Sequence, residues 1–231
     1  MKYLGLAIIT LAITFSGCSS DTKSTTAKDS LTDTITHATP NAADKTATTK
    51  KHPDEVEIRA LIVTTLNWAN SEHVVGLLPA IVKDSICIGF DLNKVNQTAE
   101  ALKKTGLFAD EFTENYKHIM QTLDEKIRSN KFEKWNVSEL PTFTFANDVN
   151  PWCSCQDNYS WENVDIADLK INGNKATANW NWGKLPDNVD PSWKKFAMPF
   201  RAVKEGDQWK IAYLNGFDYK ESVQMLPLSS K

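Results

Sequence analysis

The chain has 231 residues, 41% of them hydrophobic and 24% charged, with a formal net charge of −3. A slightly acidic balance without a Lys/Arg stripe argues against a nucleic-acid partner, because neutralising phosphates takes clustered positive charge. Outside the first residues no run of ~18 consecutive apolar residues occurs, so no membrane-spanning helix is expected.

Lys2 precedes an apolar run, Tyr3 to Phe15, that is shorter than the ~20 residues needed to cross a hydrocarbon core. The run closes in Phe15-Ser16-Gly17-Cys18, which resembles the lipobox of bacterial lipoprotein signal peptides, with Phe15 where Leu is commoner. The resemblance implies that residues 1–17 are removed and that Cys18 becomes the acylated first residue, so that a membrane is a partner through the acyl chains on Cys18. Each buried CH₂ contributes ~0.8 kcal/mol, so more than one chain anchors a protein stably without spanning the bilayer. Only Ser19-Ser20 follows Cys18, with no strong inner-membrane retention signal. The expected location is therefore the cell envelope, lipid-anchored in the outer membrane.

Residues 19–52 are Thr, Ser, Ala, Asp and Lys with few large apolar side chains. Such a stretch cannot bury enough surface to offset the entropy of ordering, and residues 18–52 are expected to form a disordered tether with a reach of about 30 Å. Within it, Asp29-Ser30-Leu31 and Asp33-Thr34-Ile35 resemble an O-glycosylation acceptor pattern of some Gram-negative lineages, although a plain polar spacer reads the same way. Residues 53–219 are long enough for one domain with a real core, and residues 220–231 read as a frayed tail.

Within the domain, Ile58, Leu61, Ile62, Thr65, Leu66 and Ala69 recur at helical spacing behind Asp54 and Glu55, which predicts a helix over 54–70. Pro79 rules out its continuation. Ile81–Phe90 reads as a small strand or hairpin with Ile86, Ile88 and Phe90 on one face and Cys87 on the other. A short helix is predicted from Asn93 to Lys104, stopped by Gly106. The clearest helix runs from Ala109 to Ser129, with Phe112, Tyr116, Ile119, Met120, Leu123 and Ile127 on its apolar face.

After Pro141 the periodicity becomes alternating. Val164–Ile171 and Lys175–Trp182 are predicted strands across Asn172-Gly173, read as the centre of a type I′ turn. Ala176, Ala178, Trp180 and Trp182 share one face, two small residues and then two very large ones. Gly183–Lys194 is a long link with the character of a lid. Phe196–Glu205 and Gln208–Leu214 form a second hairpin. Helices followed by antiparallel hairpins define an α+β fold, N-terminal helices on a curved antiparallel sheet of about four strands.

Three stretches carry a further likeness: Leu140-Pro141 through Gln156-Asp157, Asn172-Gly173-Asn174-Lys175-Ala176-Thr177, and Asp207-Gln208-Trp209-Lys210-Ile211. Over roughly Asp54 to Tyr219 the chain resembles a family of uncharacterised secreted bacterial domains that share the nuclear-transport-factor-2-like, cone-shaped fold. The resemblance implies a cone-shaped domain and brings no catalytic set. The Cys153-Ser154-Cys155 insertion departs from the family's commonest form.

The joint between the two halves, Asn147–Asn158, concentrates acids, amides, Trp152 and two of the four cysteines. With Cys18 acylated, Cys87, Cys153 and Cys155 remain. In an extended strand Cys153 and Cys155 would have Cα atoms about 6.6 Å apart and Cβ atoms too far apart to bridge, unless the chain bends sharply. Three free thiols are the leading expectation, and if a bond forms Cys87 is the better partner for Cys153 or Cys155. No Cys-x₂-Cys or nearby His completes a zinc site, so neither metal nor cofactor is expected. Asp157, His118, Asp148 and His73 are the candidates for proton transfer, although turn chemistry accounts for the aspartates. Trp152, Trp180, Trp182, Trp209 and Tyr213 are the candidates for an aromatic-lined pocket. The leading expectation is a non-enzymatic module that binds a small ligand or an envelope protein. The alternatives are an enzyme with an Asp/His pair and an immunity-type protein against a secreted toxin.

Overall fold

The computed structural model describes residues 52–71, 76–156 and 163–226. In chain order they form helix α1 (Pro53–Ala69), a hairpin of β1 (Ala80–Lys83) and β2 (Ile86–Phe90), helices α2 (Leu92–Lys104) and α3 (Asp110–Arg128), and an irregular stretch. Strands β3 (Val164–Asn172), β4 (Lys175–Trp182), β5 (Met198–Glu205) and β6 (Gln208–Leu214) follow, with a short helix α4 (Tyr219–Ser222) at the end. The fold class is α+β, with a four-stranded antiparallel sheet in the order β3-β4-β5-β6.

Helix α1 starts at Pro53, whose missing N–H costs nothing in the first turn. The His52 side chain accepts the Asp54 N–H at 3.4 Å. All six apolar-face positions of α1 are buried, and Thr65 among them is satisfied by donating its hydroxyl to Leu61 O at 2.8 Å. Helix α2 is capped by Asp91, which accepts from Asn93 N and Lys94 N. On α3, Phe112, Tyr116, Ile119, Met120 and Leu123 are fully buried, while Ile127 is only partly so. The Tyr116 hydroxyl donates to Leu77 O at 3.0 Å, and burial pushes its phenol well above the ordinary tyrosine value.

The β1–β2 hairpin departs from simple alternation. Cys87 is buried and Ile88 exposed, on opposite sides as expected, but Phe90 does not stay with Ile88 and is buried. The register slips between Ile81 and Val82, and Gly89 sits at φ +146. This bulge turns Phe90 inward, where its N–H meets the carboxylate of Asp124 at 2.6 Å.

In the main sheet Asn172 pairs with Lys175, so Gly173-Asn174 is the turn centre, one residue later than expected. Only Gly173 has positive φ there, at 58°, the pattern of a type II′ turn rather than I′. Glu205 pairs with Gln208 across Gly206-Asp207, and Gly206 at φ 62 repeats that solution. A second bulge lies in β3 between Ala167 and Lys170, where Asp168 adopts φ 55 and accepts from Asn179 Nδ2 at 3.1 Å.

One core cluster draws on both halves of the domain. The irregular stretch after α3 contributes heavily to it: Phe132, Trp135, Phe143, Phe145 and Trp152 are all buried. Of the expected tail, residues 220–226 pack onto the domain, and residues 227–231 lie outside the described residues. Met225 bridges Phe143, Thr144 N donates to Gln224 O, and Leu226 N to Thr142 O. No described helix is long and apolar enough to cross a membrane.

Candidate functional site

The joint segment closes on itself. Asn150 and Cys155 form an antiparallel bridge, with Asn150 N donating to Cys155 O at 2.9 Å and Asn150 Oδ1 accepting Trp152 N at 3.0 Å. Ser154 takes φ 51 at the apex. That left-handed residue is the sharp bend needed to bring Cys153 and Cys155 together. Their Cα atoms are 5.2 Å apart and their sulfurs are bonded, and Cys87 is a free, buried thiol. Both the expectation of three thiols and that of a Cys87 bond to Cys153 or Cys155 are thereby corrected. Cys87 lies instead in the hairpin, its Sγ 3.4 Å from Gly89 O, and burial pushes its thiol up from the ordinary value.

The proton-transfer candidates do not converge. Asp148 is exposed at φ 53 and accepts from Gln156 Nε2 at 2.8 Å, the turn role open to it from sequence. His118 is exposed on α3, its ring stacked on Tyr219 at 4.3 Å with 15° between the planes. No hydrogen bond or ion pair joins His118 to Asp148 among the described residues. Asp157 and His73 lie outside the described residues, as does Cys18. No described cluster of three or more His, Cys, Asp or Glu side chains could hold a metal ion.

The five aromatic candidates are dispersed. Trp180 and Trp182 are each 2% exposed and meet edge to face at 5.5 Å. Trp152 is packed among Trp68, Phe108, Phe112 and Phe217, with one edge on a hollow of about 310 Å³ shared with Leu77, Leu78 and Pro151. Trp209 is buried and donates its indole N–H to Asp54 at 2.9 Å. A single pocket lined by all five is therefore corrected, and for four of them the reason is area. A large ring removed from water contributes more as core than as lining.

Trp209 edges a hollow of about 570 Å³ with Glu57, Thr105 and Asp207, and Tyr213 lines a second, more polar cleft. About 390 Å³ in volume, it is lined by Glu111 and Asn115 of α3, Arg201 of β5, Tyr213 of β6, and Asp218, Tyr219 and Lys220 near α4. Arg201 and Tyr213 are cross-strand partners. The Arg201 guanidinium lies 5.2 Å from the Tyr213 ring centroid and 3.5 Å from Glu111 Oε1. The Tyr213 hydroxyl donates to Asp218 Oδ2 at 3.4 Å. Burial, and then the Asp218 charge, raise its phenol above the ordinary value, so it stays a neutral donor. Asn115 Nδ2 is held by Phe217 O at 2.8 Å, and Tyr219 by Thr122 at 3.2 Å.

Two cations, two acids and two phenols in one cleft suit a small polar or zwitterionic group. Sequence reasoning found Tyr213 and missed Arg201, Asn115 and Tyr219. Alternation on β5 does place Arg201 on the face opposite the buried Phe200 and Ala202. Its pairing with Tyr213 depends on the register slip between Arg201 and Ala202, which no sequence pattern announces.

The site is thus a surface cleft on an α+β domain with an aromatic core. In comparisons with known proteins, no family model, no curated protein and no solved structure matches the chain.

Proposed function

We propose that the protein is a membrane-anchored envelope lipoprotein whose domain, a nuclear-transport-factor-2-like cone with its helices laid on the sheet, binds a small ligand or an envelope protein without converting it. The anchoring half of the reading rests on Phe15-Ser16-Gly17-Cys18 and on the polar stretch behind it. The binding half is carried by one observation. Arg201 and Tyr213, paired across β5 and β6, face a polar cleft of about 390 Å³ shared with α3 and α4. Recognition then falls to the Arg201–Tyr213 cleft, whose donors are already held in place by Glu111, Asp218 and Phe217. Preorganised donors lower the entropy lost on binding.

The test is native mass spectrometry and thermal shift of the purified protein against a panel of amino acids, short peptides and sugar acids. Bound mass or a raised midpoint that disappears in Arg201→Ala supports the reading. Steady turnover of any panel member overturns it.

A further inference from the structure

We propose that the Trp193–Phe196 turn is a second, reversible membrane contact whose partner is an anionic lipid surface. The link between β4 and β5 carries a 3-10 turn, Pro191–Lys195, followed by Phe196, which is 53% exposed. The Phe196 ring meets Trp193 edge-on at 6.1 Å, and Trp193 is half-buried against the core. One aromatic is thus seated on the domain and holds the other out in water. Lys194 and Lys195 are both exposed, and neither ammonium enters an ion pair among the described residues.

The turn is fixed in place. Asp190 Oδ1 accepts Ser192 N at 2.8 Å, Phe196 N donates to Trp193 O at 3.2 Å, and Asn181 Nδ2 reaches Lys194 O at 3.5 Å. An exposed ring on an ordered turn loses little entropy when it enters an interface.

The chemistry fits a bilayer better than a protein partner. Protein hot spots favour Trp, Tyr and Arg in a desolvated pocket. Here an exposed Phe follows directly on two lysines, the pairing that places an aromatic at headgroup depth and ammonium groups among lipid phosphates. The link as a whole holds Lys184, Lys194 and Lys195 against Asp187 and Asp190, so it is locally positive on a chain of net charge −3. This link therefore carries the sign of charge that an anionic surface attracts. The inference rests on the reading of Cys18 as the anchored residue: the intervening residues 19–52 span at most ~120 Å, which keeps the turn within reach of the bilayer.

The test uses residues 18–231 with Cys18→Ser. This chain keeps the whole compact unit Thr48–Lys231 and carries no acyl chain. It is co-sedimented with phosphatidylcholine vesicles, either pure or with about one-third phosphatidylglycerol. The expected result is binding to the anionic vesicles alone, weakening as salt rises. Removing each lysine should weaken it ~fivefold, so Lys194→Ala/Lys195→Ala together give roughly 30-fold. Phe196→Ser should also lose binding while keeping the wild-type melting temperature. Equal binding to both vesicle types, no binding, or variants that bind like wild type would each overturn the proposal. Acylation is read separately by palmitate labelling of the full chain, so failure of the Cys18 reading and failure of this one are distinguishable.

Discussion

Asp54 and Trp209 lock the first turn of α1 to the last hairpin of the sheet: Oδ1 of Asp54 accepts the Trp209 indole N–H at 2.9 Å and the Lys204 ammonium at 2.9 Å. Lys204 also lies 5.7 Å from the Trp209 ring centroid, so three side chains separated by some 150 positions in sequence form one unit. The indole N–H, and after it the ammonium, hold the Asp54 carboxyl below the ordinary value of 3.8. A depressed folded-state pKa gives stability that is complete above the unfolded value and is lost as pH falls through the folded one. Urea midpoints should therefore be flat near neutrality and decline below about pH 4. Asp54→Asn should lower the neutral-pH midpoint and shrink the acid decline. An acid limb as steep in Asp54→Asn as in wild type would show that other carboxylates carry it.

The thiol inventory gives a second prediction. With Cys18→Ser in place, iodoacetamide under native conditions should label nothing quickly. Cys87 is 3% exposed, its pKa is raised by burial, and the thiolate is the reactive form. Unfolding without reductant should expose one reactive thiol, and unfolding with reductant three. Three reactive thiols without reductant would contradict the Cys153–Cys155 bond. The closed loop is very short, so Cys153→Ser/Cys155→Ser should cost only about 1.5 kcal/mol by chain-entropy reasoning.

These pairings mark how far the sequence alone could be read. Helix α1 was legible because its six apolar positions obey one period and all six are buried. Strands β3, β4 and β6 were legible from alternation and from glycines at their turns. The disulfide was not, because it depends on the left-handed conformation of Ser154, a non-glycine residue that nothing in the sequence marks as such. The irregular stretch behind α3 was equally opaque. Phe143 and Phe145 are almost fully buried without belonging to a helix or strand, and the backbone here is satisfied from some 80 residues away, Thr144 N donating to Gln224 O and Phe145 N to Ser222 O. Periodicity is a local signal and cannot report such partners. The cleft was legible only at Tyr213, since its other named members come from α3, β5 and the α4 region.

Asp124 is the third test. It is 7% exposed, accepts the Phe90 N–H at 2.6 Å, and takes Arg128 Nε on both oxygens at 2.8 and 2.9 Å. Replacing it by Ala leaves a buried N–H without its acceptor and a guanidinium without its carboxylate. The expected loss is about 2–3 kcal/mol, below the full figure for a buried pair because Arg128 is half exposed to water. Asp124→Asn keeps an acceptor for Phe90 and should lose less. Denaturant unfolding that ranks the two variants equally would mean the Phe90 contact contributes nothing.

Gly216 separates close packing from backbone preference. A Cβ there would run into the backbone of Pro151, where the turn Asn215–Phe217 presses on the segment that holds the disulfide. Asn215 Nδ2 donates to Ser154 Oγ at 3.3 Å in the same contact. Gly206 is the reverse case, since nothing lies within 4 Å of its Cβ position but its φ is +62. Gly216→Ala should then cost about 1–3 kcal/mol through overpacking, and Gly206→Ala should be destabilising through strain alone, by roughly 1–2 kcal/mol. Gly76, with open space and no positive φ, is the control and should tolerate Ala within ~0.5 kcal/mol. Gly216→Ala should also perturb the environment of Trp152, which packs against Phe217 at 4.8 Å. A change in near-ultraviolet circular dichroism in this variant, and not in Gly206→Ala, is the expected signature. If Gly216→Ala melts with the control, the contact between the two segments is loose and the joint is not clamped by the turn.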